Sequence, residues 1–368
     1  MRIAILGTRG IPSGYSGYEA FAEEVGTRLA AQGHQVTVYA HANRFAERPA
    51  SYRGIRLIYV PCLKGKNTSQ FSHSLLATLH VIFIDRPDLT LFCNAANGPF
   101  GLLLHLANIR SAINVDGLEW LRPKWGRLAK AYFKWAARQA TRFFDVVVTD
   151  AKGMQDVYRR EFNCQSVDIA YGADLKYPEK PELVRQFGLT PHEYYLIASR
   201  LVPDNNADLI VKSFVRTNSK RKLAIAGGTS YKNPFQDQLK NIADNRVIFL
   251  GHIDDSDVIK ELHCYAYAYI HGHEYGGTNP ALLKSLAYGN CVLALDTVFN
   301  SEVLCAGEYG ILFKKHSDDL IRKIELIDSN DRQAESFRKK ARTRILENYT
   351  WEKITRQYLE MFEALLAL

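Results

Sequence analysis

The run His271-Gly-His-Glu-Tyr-Gly-Gly-Thr-Asn-Pro-Ala-Leu-Leu-Lys-Ser-Leu-Ala-Tyr-Gly-Asn290 carries residue types suited to holding an anion. Asn279 is a helix N-cap type, and Pro280 fits the first helical position, where no N–H is needed. Gly276 and Gly277 let a group approach the backbone just before Thr278 and the first N–H groups of a helix, which favour negative charge. Gly289 stands where a glycine closes such a helix. The apolar run Tyr265–Ile270 ahead of it reads as a buried strand. Strand, glycine loop and helix start is how α/β proteins hold a phosphate. An ordinary strand–helix turn uses the same residues, so the stretch alone leaves both readings open.

A second candidate lies at Ile113-Asn-Val-Asp-Gly-Leu-Glu-Trp-Leu-Arg-Pro-Lys-Trp-Gly126, a strand end followed by a charged, tryptophan-containing loop. Loops at the carboxyl ends of strands are where α/β folds place chemistry. Asp116 is the catalytic candidate there, against the alternative of a turn or capping aspartate. From Arg122 to Arg142 there are seven basic residues and no acidic one. Arg127, Lys130, Lys134, Arg138 and Arg142 recur at helical spacing on one face, beside Tyr132, Phe133, Trp135 and Phe143. That composition suits anionic lipid or a diphosphate-linked acceptor, and equally a solvated basic face. No nucleic-acid reader motif accompanies it. His271 and His273 alternate on an extended segment without a third ligand nearby, so a turn or sugar-hydroxyl role is expected and no metal.

These residues need elements to hold them. Residues 2–7 read as a strand, followed by a loop with Gly7, Gly10, Gly14 and Gly17, then Tyr18, Glu19 and a helix marked by Phe21, Val25 and Leu29. Gln35–Ala40 is the next strand. This βαβ opening lacks G-x-G-x-x-G and the acidic residue at the end of its second strand, which disfavours dinucleotide binding. Strands follow at Ile55–Val60, Thr90–Cys93, Ser111–Val115 and Val146–Thr149. Residues 176–194, rich in proline and charge, mark a boundary. A second series then runs through Tyr194–Ser199, Lys222–Gly228, Val247–Leu250 and Cys291–Leu295, and helical sequence closes the chain from about Asp318. The expected architecture is α/β, with two facing Rossmann-like domains and a cleft between them. Its expected parts are an acceptor domain over 1–178, a nucleotide-sugar domain over 179–350, and a helix over 351–368 packing back on the first.

At 368 residues the chain is long enough for two domains. Its start reads directly into a strand, so no signal peptide is expected, and its longest apolar stretch is too short to span a membrane. Six scattered cysteines suggest a reducing cytoplasm and no disulfide framework. The net charge of +8 is uneven: residues 1–178 hold 22 Lys+Arg against 14 Asp+Glu, and the rest 25 against 25. A basic half suggests an anionic partner for the first domain.

Several blocks together resemble the GT-B glycosyltransferases of family 4, and more narrowly the bacterial rhamnosyltransferases of capsule and O-antigen assembly. They are Gly7-Thr-Arg-Gly-Ile-Pro12, Gly17-Tyr-Glu19, Asn114–Trp120, Lys124-Trp-Gly126, Tyr171-Gly-Ala173, Ser199-Arg-Leu201, Pro203–Asn206 and Gly276–Pro280. The resemblance implies that the second domain holds a nucleotide-sugar and the first an acceptor, with a retaining transfer and neither cofactor nor metal. Arg200 matches the family arginine used on the diphosphate. The lysine usual five residues later is Asn205 here. Lys284 stands where a family glutamate grips the nucleotide ribose, and Glu274 lies two residues short of that motif's first glutamate. A thymidine nucleotide lacks the 2′-hydroxyl, so a dTDP-L-rhamnose site loses less without that carboxylate.

The expected activity is therefore transfer of L-rhamnose from dTDP-L-rhamnose, or of a sugar from a UDP-sugar, onto a lipid-linked glycan. It would occur in the cytoplasm, peripheral to the inner face of an anionic membrane and without nucleic acid. Arg200, Asn205, Gly276, Gly277, Thr278, Asn279 and Lys284 are the expected donor contacts, and Asp116 and Glu274 the expected catalytic pair. Gly14, Gly17, Tyr18, Glu19 and Trp120 are expected on the acceptor side. The alternatives are a degenerate nucleotide-sugar binding or scaffold protein, suggested by Lys284 and Asn205, and a sugar-nucleotide epimerase of the same fold.

Overall fold

Strands of a parallel sheet are buried on both faces, and this chain supplies them as short, almost unbroken apolar runs. A computed structural model describes residues 1–12, 17–65, 68–228 and 234–367. Eight strands form one sheet: β1 (Arg2–Leu6), β2 (Gln35–His41), β3 (Ser51–Tyr52), β4 (Ile55–Val60), β5 (Leu89–Cys93), β6 (Arg110–Asn114), β7 (Val146–Thr149) and β8 (Val167–Asp168). Their order is β3-β4-β2-β1-β5-β6-β7-β8, and all pairs are parallel except β3 with β4. A second sheet holds β9 (Tyr194–Ala198), β10 (Lys222–Ala226), β11 (Val247–Gly251), β12 (Ala268–His271), β13 (Val292–Leu295) and β14 (Ile311–Phe313). Its order is β11-β10-β9-β12-β13-β14, parallel throughout. In both sheets the order reverses beside the first strand, the doubly wound arrangement that places ligand sites at the carboxyl edge.

The chain divides into two compact units, Met1–Gly172 with Trp351–Leu368, and Ala173–Thr350. The division thus falls between Gly172 and Ala173, where the sequence pointed to 178 and 179. The helix Trp351–Ala367 belongs to the first unit. Tyr358 packs its ring 5.0 Å from that of Phe21, and Asn114 Nδ2 donates to the Tyr358 hydroxyl at 2.8 Å. Glu352 pairs with Arg28 at 3.0 Å. One expected boundary moves. Tyr265 does not open a strand, because its N–H bonds the Glu261 carbonyl at 2.9 Å and caps the helix Ser256–Cys264. The strand begins at Ala268. The very short β3, β8 and β14 went unread, since two or three residues carry no period.

The turn after β1 depends on Gly7. Its φ is +85°, and a Cβ there would lie 2.3 Å from the Cys93 carbonyl oxygen on β5. Gly33, which ends the helix Gly17–Ala31, has φ +88° but nothing within 4 Å of a Cβ. Gly33→Ala should therefore cost about 1 kcal/mol of backbone strain alone, and Gly7→Ala about 2–4 kcal/mol, because the β5 backbone must also move. Denaturant unfolding measures both. Equal losses would contradict the steric account.

Candidate active site

In the first unit the site is built where β6 and β7 end. Asn114 pairs with Val148 across these parallel strands, so Asp116 and Asp150, each two residues further on, leave the sheet at one level. Asp150 is fully buried, whereas Asp116 keeps part of its surface in solvent. The Tyr171 hydroxyl donates to Asp116 Oδ2 at 3.1 Å, the Tyr18 hydroxyl donates to the Asp116 carbonyl at 3.1 Å, and the Asp116 N–H donates to Asn114 Oδ1 at 3.2 Å. Burial raises the pKa of Asp116, opposed by the Tyr171 hydrogen bond and the Arg122 charge. Burial first, and then the Asp116 charge, push Asp150 well above the usual carboxylate range. Burial likewise raises the Tyr18 and Tyr171 phenols, so both remain neutral donors.

The other residues expected on the acceptor side have separate places. Gly14 lies outside the described residues. Gly17 opens the first helix, and Glu19, buried there, accepts the Arg9 N–H at 2.8 Å and so fixes the turn after β1. Trp120 is not a surface residue: it is buried, with its ring edge-on to Tyr158 at 6.3 Å and Phe162 at 5.8 Å. An apolar ring beside a strand end can serve core or site, and its position in sequence does not separate the two. The half-buried tryptophan of this loop is Trp125, whose Nε1–H donates to Glu119 Oε2 at 2.6 Å. Glu119 also pairs with Arg122 at 2.9 Å and Lys124 at 3.3 Å, which ties the loop together.

The basic stretch is the helix Arg127–Phe143. Arg127, Lys134, Arg138 and Arg142 are exposed and Lys130 is half-buried. Lys134 is already paired with Glu161 at 3.0 Å. Leu128 and Trp135 are 89% and 50% exposed on the same helix.

In the second unit the loops after β9 and β12, neighbouring strands, are laced together. Asn205 Nδ2 donates to the Arg200 carbonyl at 2.7 Å, and Asn205 Oδ1 meets His273 Nδ1 at 2.8 Å. An amide oxygen only accepts, so that His273 nitrogen carries the proton. Both ends of the Asn205 amide are engaged within the protein, which makes it a clamp on the loop. Gly272 completes the join: a Cβ there would lie 2.3 Å from the Asn205 carbonyl oxygen. Asn206 Nδ2 donates to the Gly272 carbonyl at 2.8 Å. Glu274 is held too, by Lys315 at 2.6 Å.

The glycine loop and the helix Pro280–Ala287 follow. Gly276, Gly277 and Thr278 are buried, with Gly276 at φ +125°. Asn279 caps the helix as its residue type predicts, its Oδ1 accepting the Ala281 N–H at 2.9 Å. The Leu282 and Leu283 N–H groups both go to the Asn279 carbonyl, at 3.0 and 3.1 Å. The helix start is thus satisfied internally, and an incoming anion must look to side chains and the preceding loop.

Two cations remain. Arg200 and Lys284 are exposed, and neither side-chain charge has a protein partner among the described residues. Protein surrounding Lys284 lowers its pKa. His263 and His271 are buried, with pKa pulled down to about 3, His263 by burial and then by the Lys284 charge. The His263 ring near Lys284 is therefore neutral and adds no charge of its own. Sequence reasoning missed Asp150, Tyr171 as a hydrogen-bond donor, and the His273 and Lys315 contacts. Asp150 had a signal: the run Val146-Val-Val-Thr-Asp150 ends on an acidic residue, as the Asp116 strand does.

Residues 16–171 match the family described as glycosyl transferase 4-like domain, and residues 179–344 match glycosyl transferases group 1. An uncharacterised glycosyltransferase of Methanocaldococcus jannaschii is 30% identical over 128 residues. That match covers 34% of this chain and 32% of the relative, so it spans about a third of the relative's length. Sucrose-phosphate synthase of Thermosynechococcus elongatus has a similar fold, with a TM-score of 0.82 and 17% identity over 100% of this chain and 99% of that one. HepE of Anabaena, in complex with UDP, gives 0.78 and 15% over 99% and 100%. A glycosyltransferase of Rickettsia africae gives 0.74 and 16% over 99% and 98%. With a doubly wound sheet in each unit and a glycosyltransferase family matching each half, the chain belongs to the glycosyltransferases of GT-B type.

Proposed function

We propose that this chain moves L-rhamnose from dTDP-L-rhamnose to a hydroxyl of a lipid-linked glycan, with retention and without a metal. The observation that carries the reading is the pair of unpartnered cations, Arg200 and Lys284, at the carboxyl edge of the second sheet. A guanidinium fork and an ammonium placed there neutralise a departing nucleoside diphosphate, the largest charge that develops in such a transfer. The acceptor oxygen bonds the anomeric carbon and gives up its proton, while the diphosphate leaves with the electrons of the broken bond. Asp116, partly buried and oriented by Tyr171, is the group suited to accept the hydrogen bond of that hydroxyl. Thymidine is favoured because Lys284 occupies the position from which a carboxylate would grip a ribose 2′-hydroxyl.

A UDP-sugar donor is the second reading, supported by HepE, which is described in complex with UDP and with UDP-glucose on a similar fold. The engaged Asn205 and Glu274 support a third, a protein that binds a nucleotide-sugar without transfer.

No helix among the described residues is long and apolar enough to cross a membrane. Exposed Arg127, Arg138, Leu128 and Trp135 support peripheral attachment at the cytoplasmic face of an anionic membrane. Reversing both arginines (Arg127→Glu with Arg138→Glu) should weaken binding to phosphatidylglycerol vesicles at least about tenfold, since each basic residue near such a surface is worth about 1 kcal/mol. Unchanged co-sedimentation would rule this surface out.

Transfer from labelled dTDP-L-rhamnose to lipid-linked acceptors tests the main reading. Asp116→Asn should lower kcat by about 10²–10³ with donor affinity nearly unchanged. Undiminished transfer would take Asp116 out of the mechanism, and transfer from a UDP-sugar alone would move the donor. Lys284 adds a pH signature. Its lowered pKa means the ammonium is lost at a lower pH than that of a solvated lysine, so nucleoside diphosphate affinity should fall as pH rises through that value. Lys284→Met should bind more weakly at pH 7 and lack this fall. Equal slopes in both proteins would contradict the contact.

A further inference from the structure

Among the described residues, the hydrogen-bond ladder of β6 ends one residue before Asp116, where the Val115 N–H donates to the Val148 carbonyl at 2.9 Å. Gly117, at φ +83°, then turns the chain away from the sheet. Side chains hold Asp116 instead. Tyr171 meets one carboxylate oxygen, Tyr18 the carbonyl and Asn114 the N–H. A backbone N–H only donates, so the Asn114 atom it meets is Oδ1, and Nδ2 faces the other way. There Nδ2 donates to the Tyr358 hydroxyl at 2.8 Å, on the helix Trp351–Ala367. Asn114 is 1% and Tyr358 0% exposed, so bulk water cannot stand in for either end of this link. The Asn114 backbone is itself fixed, because its carbonyl accepts the Asn94 N–H from β5's end at 2.9 Å. Only the side chain is left to set where Asp116 sits. The ring of Phe21 braces both phenols, 5.0 Å from Tyr358 and 5.8 Å from Tyr171.

We propose that Tyr358 is a positioning residue: its hydroxyl sets the side-chain amide of Asn114, and that amide sets the Asp116 backbone from which the carboxylate meets the acceptor hydroxyl. The proposal rests on the role given to Asp116 above. Without the Tyr358 oxygen, the buried Nδ2 group loses this acceptor, and the amide turns to find another. Its Oδ1 then leaves the Asp116 N–H, and the carboxylate shifts with the backbone. A displaced hydrogen-bond acceptor lowers the rate of the chemical step more than it weakens donor binding. The last helix of the chain is thereby part of the acceptor machinery as well as of the core.

Tyr358→Phe removes one oxygen and keeps the ring. Amide hydrogen exchange of the whole chain, resolved by residue, should show the Asp116 N–H exchanging about tenfold faster in this variant, with the Val115 N–H unchanged. Phe362→Leu loosens the same helix, since that ring packs 5.9 Å from Tyr358, but leaves the hydroxyl in place. It should keep Asp116 exchange at the wild-type rate. Unchanged Asp116 exchange in Tyr358→Phe, or an equal rise in both variants, overturns the link. Kinetics then reads the positioning. Tyr358→Phe should lower kcat about tenfold with donor KM little changed, and should cause no further loss in an Asp116→Asn background. Losses that add in full would mean that Tyr358 does not act through Asp116. An exchange response as expected, in a protein that transfers to no acceptor, would instead sink the functional reading and leave the hydrogen-bonded link standing.

Discussion

Parallel pairing sends the carboxyl end of every strand to one edge of its sheet, and both candidate sites follow from that constraint. In the first sheet it brings Asp116 and Asp150 out side by side, because β6 and β7 run in register. In the second it sets the loop after β9 against the loop after β12, so that Asn205, Asn206, Gly272 and His273 can lace together. Antiparallel neighbours would have put one member of each pair at the opposite edge. The glycines serve the same end, since backbone meets backbone at Gly7 and Gly272 and leaves no room for a side chain.

The two edges carry opposite electrostatic designs. At the second, most polar groups near the expected site are satisfied within the protein: Asn205 in its loop, Glu274 by Lys315, and the helix start by Asn279. Arg200 and Lys284 stand out against that background as charges without partners among the described residues. Exposed cations of this kind cost little while empty and are available to an anion. At the first edge the acidic groups lie among neutral phenols, and the Tyr171 hydroxyl donates to the partly buried Asp116 carboxylate.

Much of the fold was legible because apolar runs of four to six residues alternate with helical periods. The N-cap at Asn279, its Pro280 and the closing Gly289 were equally legible, since each has a local chemical reason. Residue type also exposed Arg200, Lys284 and Asp116. What sequence could not give was the partner of each polar group, because partners come from distant strands. Residue type at Asn205 did not reveal that its amide ties His273 to the Arg200 carbonyl. Residue type at Trp120 did not reveal that its ring is buried beside Tyr158 and Phe162. Asp150 was overlooked because its relation to Asp116 exists only once β6 and β7 are paired.

The central claim is that Arg200 and Lys284 receive a nucleoside diphosphate in the second unit. Calorimetric titration of the wild type and of an Arg200→Gln, Lys284→Met double variant with dTDP, UDP and GDP, at one fixed salt concentration, tests it most directly. The account predicts binding to the wild type with dTDP preferred, and a loss of about a hundredfold or more in the variant, as expected when two charge-assisted contacts are removed. Binding that is undiminished in the variant, or no binding of any of the three by the wild type, would contradict it.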